Sequence, residues 1–466
     1  MLRTFSLIAA LGVANAATAQ SAHPGEAAFR ATYKELVETN TAHSTGSCTL
    51  AAERMAARLT AAGYATGDIH RFAVPEAPKD GGLVVVLPGS DPKAKAVLLL
   101  AHLDVVEAKA SDWTRDPFTL IEENGYFYAR GASDDKAMAS IFVDAMARLH
   151  AEPKMRRTLK LALTCGEETT GVFNGAEYLA THERGLIDAG FALNEGGGGR
   201  LGPDGKPLLL AIQVSEKTSQ NYTLEAKNPG GHSSMPRPDN AINELAAALT
   251  KIAAYHFPVK IDATTGAFWT RMARIAPPTV GGAMAAIAAN PTDASAEAML
   301  ARDPLFNSTL RTTCVATLLE AGHAENALPQ HAQANINCRI FPGDTIAGTR
   351  DRLAEVIANP AISVTSKSRR GPPSSPAPLD PAVLGPAERL GAEMYPGVPL
   401  IPVMSTGASD SIYLAAAGIP SYGVPGIFYD ADSGNIHGLN ERIRVKSVLD
   451  GRDYLFRLIR TYADAK

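Results

Sequence analysis

Residues 96–104 read Ala-Val-Leu-Leu-Leu-Ala-His-Leu-Asp, and this stretch decides the fold. Ala96 to Leu100 run without the polar alternation of a half-solvated strand, which implies a strand covered on both faces, as in a sheet between helices. The run ends in His102 and Asp104. Two polar side chains thus stand at the carboxyl end of a buried strand, where open α/β sheets gather their active-site groups.

On either side the chain repeats the pattern. Leu83 to Leu87, Thr158 to Thr164 and Phe191 to Leu193 read as further strands. A helical stretch from Ala27 to Tyr64 precedes them, and Lys136 to Leu149 has helical spacing, with Ile141, Ala145 and Leu149 on one face. Alternating strands and helices predict an α/β fold, a mixed β-sheet flanked by helices. Near Lys217 the character changes. Tyr222 to Ala226 is strand-like, Asn240 to Tyr255 a long helix, and the Ala-rich Gly281 to Ala301 helical. Strands at Thr312 to Leu319 and Ala332 to Ile340 follow, then a helix over Thr345 to Asn359 and a Pro/Ser-rich linker at Gly371 to Pro378. The expected organisation is a catalytic domain over residues 20–217 and 377–466, interrupted by a smaller α+β unit over 218–376.

Bulk properties bound the function. A chain of 466 residues suits roughly two or three domains. Its net charge of -4 offers no basic surplus for a phosphate backbone, so nucleic acid is excluded as the expected partner. Arg3, the apolar run Phe5 to Val13 and the small residues Ala17-Thr18-Ala19 predict a signal peptide, residues 1–19, cleaved after Ala19. That run is too short to span a bilayer, so a secreted or periplasmic protein is expected rather than a membrane one. The four cysteines are too few and scattered for a disulfide scaffold or a cysteine zinc cluster. Cys314 and Cys338 lie in strand-like runs and have the option of pairing, but isolated buried thiols are the expectation.

Further polar groups recur at strand ends. Gly131-Ala-Ser-Asp134-Asp135-Lys136 precedes a helix, and its two aspartates exceed what capping requires. One carboxylate has two oxygens and can bridge two cations about 3.5 to 4 Å apart. Glu167-Glu168 follows the strand ending at Thr164, and adjacent carboxylates there repel unless a cation compensates. Asn194-Glu195 is followed by Gly196 to Gly199, and His437 sits in the late loop Asn435-Ile436-His437-Gly438.

In this order the motifs H-x-D, G-x-x-D-D-K, E-E, E-G and H-G resemble the dizinc peptidase family that includes aminoacylase, bacterial glutamate carboxypeptidase, carnosinase and succinyl-diaminopimelate desuccinylase. The resemblance runs from about residue 30 to the end. Arg311-Thr312-Thr313, Glu325 to Pro329, Ala334 to Pro342 and His437 to Glu441 are similar to the branch of vacuolar carboxypeptidase S and the secreted hydrolases of N-fatty-acyl amino acids. Cys314 stands where that branch usually carries threonine. The resemblance implies two zinc ions, with cobalt or manganese as substitutes. His102, Asp134 and Glu195 would hold one, and Asp134, Glu168 and His437 the other. It implies Glu167 as general base, Asp104 orienting His102, and His232 of the loop Gly230 to Ser234 stabilising the oxyanion. Asn326 would contact substrate and Arg339 would grip its terminal carboxylate, a task suited to a planar fork of donors. Residues 218–376 become a lid and dimerisation domain, with a homodimer as the implied assembly. Two substrate readings stay open: a carboxypeptidase or dipeptidase, and an amidohydrolase or synthase of N-acyl amino acids. A retired enzyme kept for binding is disfavoured, because all five ligands and Glu167 are present.

Overall fold

The computed structural model describes residues 23–169, 171–369 and 371–465, so the signal-peptide reading of residues 1–19 lies outside them. The strand Val97–His102 is buried at every position and lies parallel to both Leu159–Thr164 and Phe191–Asn194. It sits inside a ten-stranded sheet that extends through Ala77–Leu87 on one side and through Ser421–Gly423 to Pro207–Glu216 on the other. Alternate residues of the strand serve different cores. Val97, Leu99 and Ala101 pack with Phe29, Met55, Ile141 and Leu458 of helices on one face, whereas Leu98 and Leu100 meet Leu179 and Leu414 on the other. That double coverage is why the sequence shows an unbroken apolar run.

The expected helix from Ala27 to Tyr64 is two helices, Glu26–Val37 and Cys48–Ala61. Between them Asn40 turns the chain by accepting from the Ala42 N–H, and Ser47 caps the second helix through the Leu50 N–H. The main chain closes so tightly there that a Cβ on Gly46 would lie 2.5 Å from the Asn40 oxygen. The Ala-rich stretch also divides, into Pro278–Ala289 and Ala294–Leu300, where Pro291 interrupts and Asp293 caps the second piece.

At Lys217 the chain passes from the ten-stranded sheet into a four-stranded antiparallel one, ordered Thr313–Ala321, His331–Ile340, Thr218–Lys227 and Ile362–Ser366, with its own core. Helix Ala263–Met272 does not join that core. Phe268 and Met272 pack on Leu209, Ala211 and Ile401 of the large sheet, and the Arg271 Nη1 donates to the Leu400 carbonyl at 2.7 Å.

The cysteines correct the expectation of isolated thiols. Cys314 faces Cys338 in the register of neighbouring antiparallel strands, with Cα atoms 4.0 Å apart, and the two form a disulfide. Cys48 opens a helix that the fold lays beside the end of the strand Leu159–Thr164, and it is bonded to Cys165. The sequence separation of 117 conceals that pair from any local reading.

Candidate metal centre

His102 is the last residue of its strand and 2 % exposed. Its Nδ1 lies 3.0 Å from the Asp104 main-chain carbonyl, which only accepts, so Nδ1 carries a proton and Nε2 is the nitrogen left for a metal ion. Nε2 faces carboxylates, with Asp134 Oδ1 at 3.2 Å and Glu195 Oε2 at 3.9 Å. Asp104 therefore orients His102 through its carbonyl. Its carboxylate has another task, accepting the N–H groups of Glu168 at 2.9 Å and Glu167 at 3.3 Å, which fixes the acidic loop after the neighbouring strand.

Asp134 uses both oxygens. Oδ1 faces His102, while Oδ2 lies 3.2 Å from His437 Nε2, which in turn is 2.9 Å from Glu168 Oε2. Two groups of potential metal ligands result, His102 with Asp134 and Glu195, and Asp134 with Glu168 and His437, each with its donor atoms within 4.8 Å of one another. They share Asp134. Imidazole nitrogen and carboxylate oxygen in this mixture suit a divalent ion such as zinc.

The electrostatics fit such ions. Burial and the surrounding carboxylates push Glu167, Glu195 and Asp135 well above the ordinary range, and Asp410 up to about 6. Burial opposes ionisation of Asp134 too, yet hydrogen bonds from His102 and His437 hold it well below the usual carboxylate value. Hydrogen bonds to Asp134 and Glu168 push His437 up to about 10. In the chain by itself the two histidines are the main counter-charge for the acids packed around them, and Asp135 has a buried Oδ2 with no hydrogen bond among the described residues. Adjacent cations would relieve both conditions.

Three features of the support are absent from the sequence reading. Glu441 is fully buried, and its carboxylate accepts from Arg130 Nη1 at 2.7 Å and from the N–H groups of Gly131, Ser133 and Asp134. Arg130 Nη2 also donates to the Gly438 carbonyl at 2.8 Å, so one ion pair ties the Asp134 loop to the His437 loop. Asp410, just past the strand Leu400–Ser405, accepts from Asn174 at 2.7 Å beside the Glu167 loop. Its position after a buried strand was the available signal. Glycine also matters once: a Cβ on Gly197 would fall 2.3 Å from the Val424 carbonyl, so only glycine lets the chain after Glu195 lie so close.

The remaining expected residues stand apart. His232 is in a two-stranded ribbon and Asn326 in the turn that leads into it, where His232 pairs with Ala327 and Ser233 N–H donates to the Asn326 carbonyl at 3.1 Å. His232 is exposed, and its Nδ1 accepts from the Ser234 N–H at 3.1 Å. Arg339 lies on the strand His331–Ile340 opposite Ser219. Among the described residues no hydrogen bond or ion pair joins these three to the metal-ligand cluster. Glu167 itself opens onto a cavity of about 460 Å³ lined by Ser219, Asn221, Arg369, Ser409 and Asp410.

Residues 98–461 match peptidase family M20/M25/M40. The chain is 31% identical over 387 residues to the human (Homo sapiens) N-fatty-acyl-amino acid synthase/hydrolase PM20D1, covering 80% of this chain and 75% of that protein. It is 26% identical over 403 residues to the probable carboxypeptidase S-like 2 of Dictyostelium discoideum, covering 84% and 76%. Its fold is similar to that of the M20 family metallo-carboxypeptidase Sso-CP2 from Sulfolobus solfataricus, with a TM-score of 0.69 at 18% identity over 94% of this chain and 99% of that one.

Proposed function

The chain belongs to peptidase family M20/M25/M40, and from that membership we propose that it holds two zinc ions and hydrolyses an amide whose nitrogen belongs to an amino acid with a free carboxylate. As a member of that family it is a hydrolase of peptide or related amide bonds. One observation carries the fuller reading: the two oxygens of Asp134 face different histidines, so that two complete triads share one bridging carboxylate beside Glu167.

His102, Asp134 and Glu195 would hold one ion, and Asp134, Glu168 and His437 the other. Bound there, the ions supply Lewis acidity, lowering the pKa of water and polarising a carbonyl. Glu167, carried on a loop fixed by Asp104, takes the proton from the attacking water and returns it to the leaving nitrogen. His232 donates to the developing oxyanion, Asn326 contacts substrate, and Arg339 pairs with the substrate carboxylate. Arg339 is half-buried and has no ion-pair partner among the described residues, and burial pushes its pKa down. A substrate anion would relieve that cost.

The 31% identity to an enzyme named for N-fatty-acyl amino acids favours an N-acyl amino acid as substrate over a dipeptide. Secretion after cleavage at Ala19 is supported by the two disulfides, since such bonds persist in oxidising compartments. A homodimer through the four-stranded sheet is supported by its edge strand, where Val315, Leu318 and Leu319 are 60 to 67% exposed. Residues 218–376 would serve as the lid.

The test is a panel assay with chelator-stripped protein. Activity is expected to vanish without metal, to return with two equivalents of zinc, and to be greater on N-acyl amino acids than on their C-terminal amides. Full activity in protein shown metal-free by elemental analysis would falsify the metal reading. Equal rates on acids and amides would remove the carboxylate from the substrate definition.

A further inference from the structure

The cavity beside Glu167 has a single basic residue among its described lining, Arg369. It follows the strand Ile362–Ser366, where the chain returns toward the large sheet. Its guanidinium is aimed by two main-chain carbonyls: Nε donates to Ser219 at 2.9 Å and Nη1 to Gly371 at 2.6 Å. Nη2 makes no hydrogen bond to any described residue, and no described carboxylate forms an ion pair with the group. Tyr413 and Glu216 are the acidic groups whose charge reaches it, but Glu216 makes no ion pair with it and its Oε2 accepts instead from Ser409 Oγ at 2.8 Å and Gln213 Nε2 at 3.2 Å.

Arg339 approaches the same place from another element. It is the cross-strand partner of Ser219, the residue whose carbonyl holds Arg369. Directly opposed residues share a face of the sheet. That face is the cavity's, because Ser219 and Asn221 both line it and Asn337 donates to Asn221 Oδ1 at 3.0 Å. Two cations on separate elements thus stand at this sheet face, Arg369 in the cavity lining and Arg339 across the strand pair from Ser219, and one α-carboxylate engages only one of them under the reading given above.

We propose that Arg369 is a second carboxylate-binding residue of the cleft, so that the enzyme selects amides whose amino-acid half bears an acidic side chain as well as its α-carboxylate. The inference rests on the reading of Arg339 as the partner of the α-carboxylate. A guanidinium already held by two carbonyls loses little freedom when its remaining edge meets an anion, and a neutral side chain leaves it half-buried and unpaired.

The discriminating measurement compares kcat/KM on N-acetyl-L-glutamate and N-acetyl-L-glutamine for the zinc-loaded wild type, Arg369→Met and Arg369→Lys. Wild type is expected to favour the glutamate derivative by about 10-fold or more, mostly through KM, the size of one charge-assisted contact. In Arg369→Met that ratio falls toward one, and Arg369→Lys recovers part of it. Calorimetric titration with free L-glutamate and L-glutamine reads the same preference without turnover, so it decides the matter for Arg369 even if no amide is hydrolysed and the proposed function itself fails. The proposal is overturned if wild type shows no preference. It is equally overturned if Arg369→Met lowers both substrates by one factor, which makes Arg369 a structural residue. Loss of discrimination between α-acids and α-amides in Arg369→Met would assign it the α-carboxylate and overturn the proposal as well.

Discussion

The metal-ligand cluster and the ribbon that carries His232 are built in opposite ways. In the cluster the groups are held by neighbours that are themselves fixed: His102 by the Asp104 carbonyl, Glu168 by the Asp104 carboxylate, Asp134 by the Glu441 carboxylate, and His437 by Arg130 through the Gly438 carbonyl. The ribbon has one pair of short strands, exposed side chains and local hydrogen bonds within Gly231 to Ser234. Charge that must be concentrated needs a rigid, buried surround, because unpaired acids in a dry site are costly and small displacements alter their energies strongly. A donor that acts only when substrate is present needs no such frame and can come from a lightly held element.

This contrast is broken or sharpened by substitution on each side. The largest effect is expected at Glu441. Glu441→Ala leaves Arg130 as a buried charge without its partner and frees three backbone N–H groups, so stability should fall by about 3 to 5 kcal/mol, measured by urea denaturation. A change below about 1 kcal/mol would mean that the cluster's frame is not the source of its rigidity. Next comes Glu167→Gln, which preserves size but cannot accept a proton. Turnover should drop on the order of 100-fold or more, with metal content by elemental analysis unchanged. If the variant turns over within a few-fold of wild type, Glu167 is not the base. On the ribbon side, His232→Ala should cost about 100-fold in kcat, yet leave the melting temperature and metal content where they were, since the side chain is exposed. A fall in melting temperature of several degrees would show that the ribbon is structural too and that the two regions do not differ in kind.

Read along the chain, the ligand-bearing segments announce themselves because each is local. A strand-like run that ends within a few residues of His102, Glu167 or Glu195 places a polar group at a buried strand end, and a few residues suffice to see it. Helix boundaries were less legible. The division near Asn40 to Ser47 depends on a tight chain crossing at Gly46 that helical propensity does not register.

The sequence by itself determined the α/β class, the family and the positions at which acids and histidines end strands, because those follow from short-range pattern. Only the tertiary structure decided how these pieces are joined. Arg130 and Glu441 are 311 residues apart, Cys48 and Cys165 117 apart, and the anchoring of Arg369 on Ser219 spans 150 residues. Contacts of that range depend on which strands become neighbours and in what register. A one-residue slip of Thr313–Ala321 against His331–Ile340 would separate Cys314 from Cys338 and turn the edge strand's side chains to the opposite face. Register is a property of the packed sheet as a whole, in which each pairing buries one set of side chains and exposes the other, and no stretch of a few residues contains it.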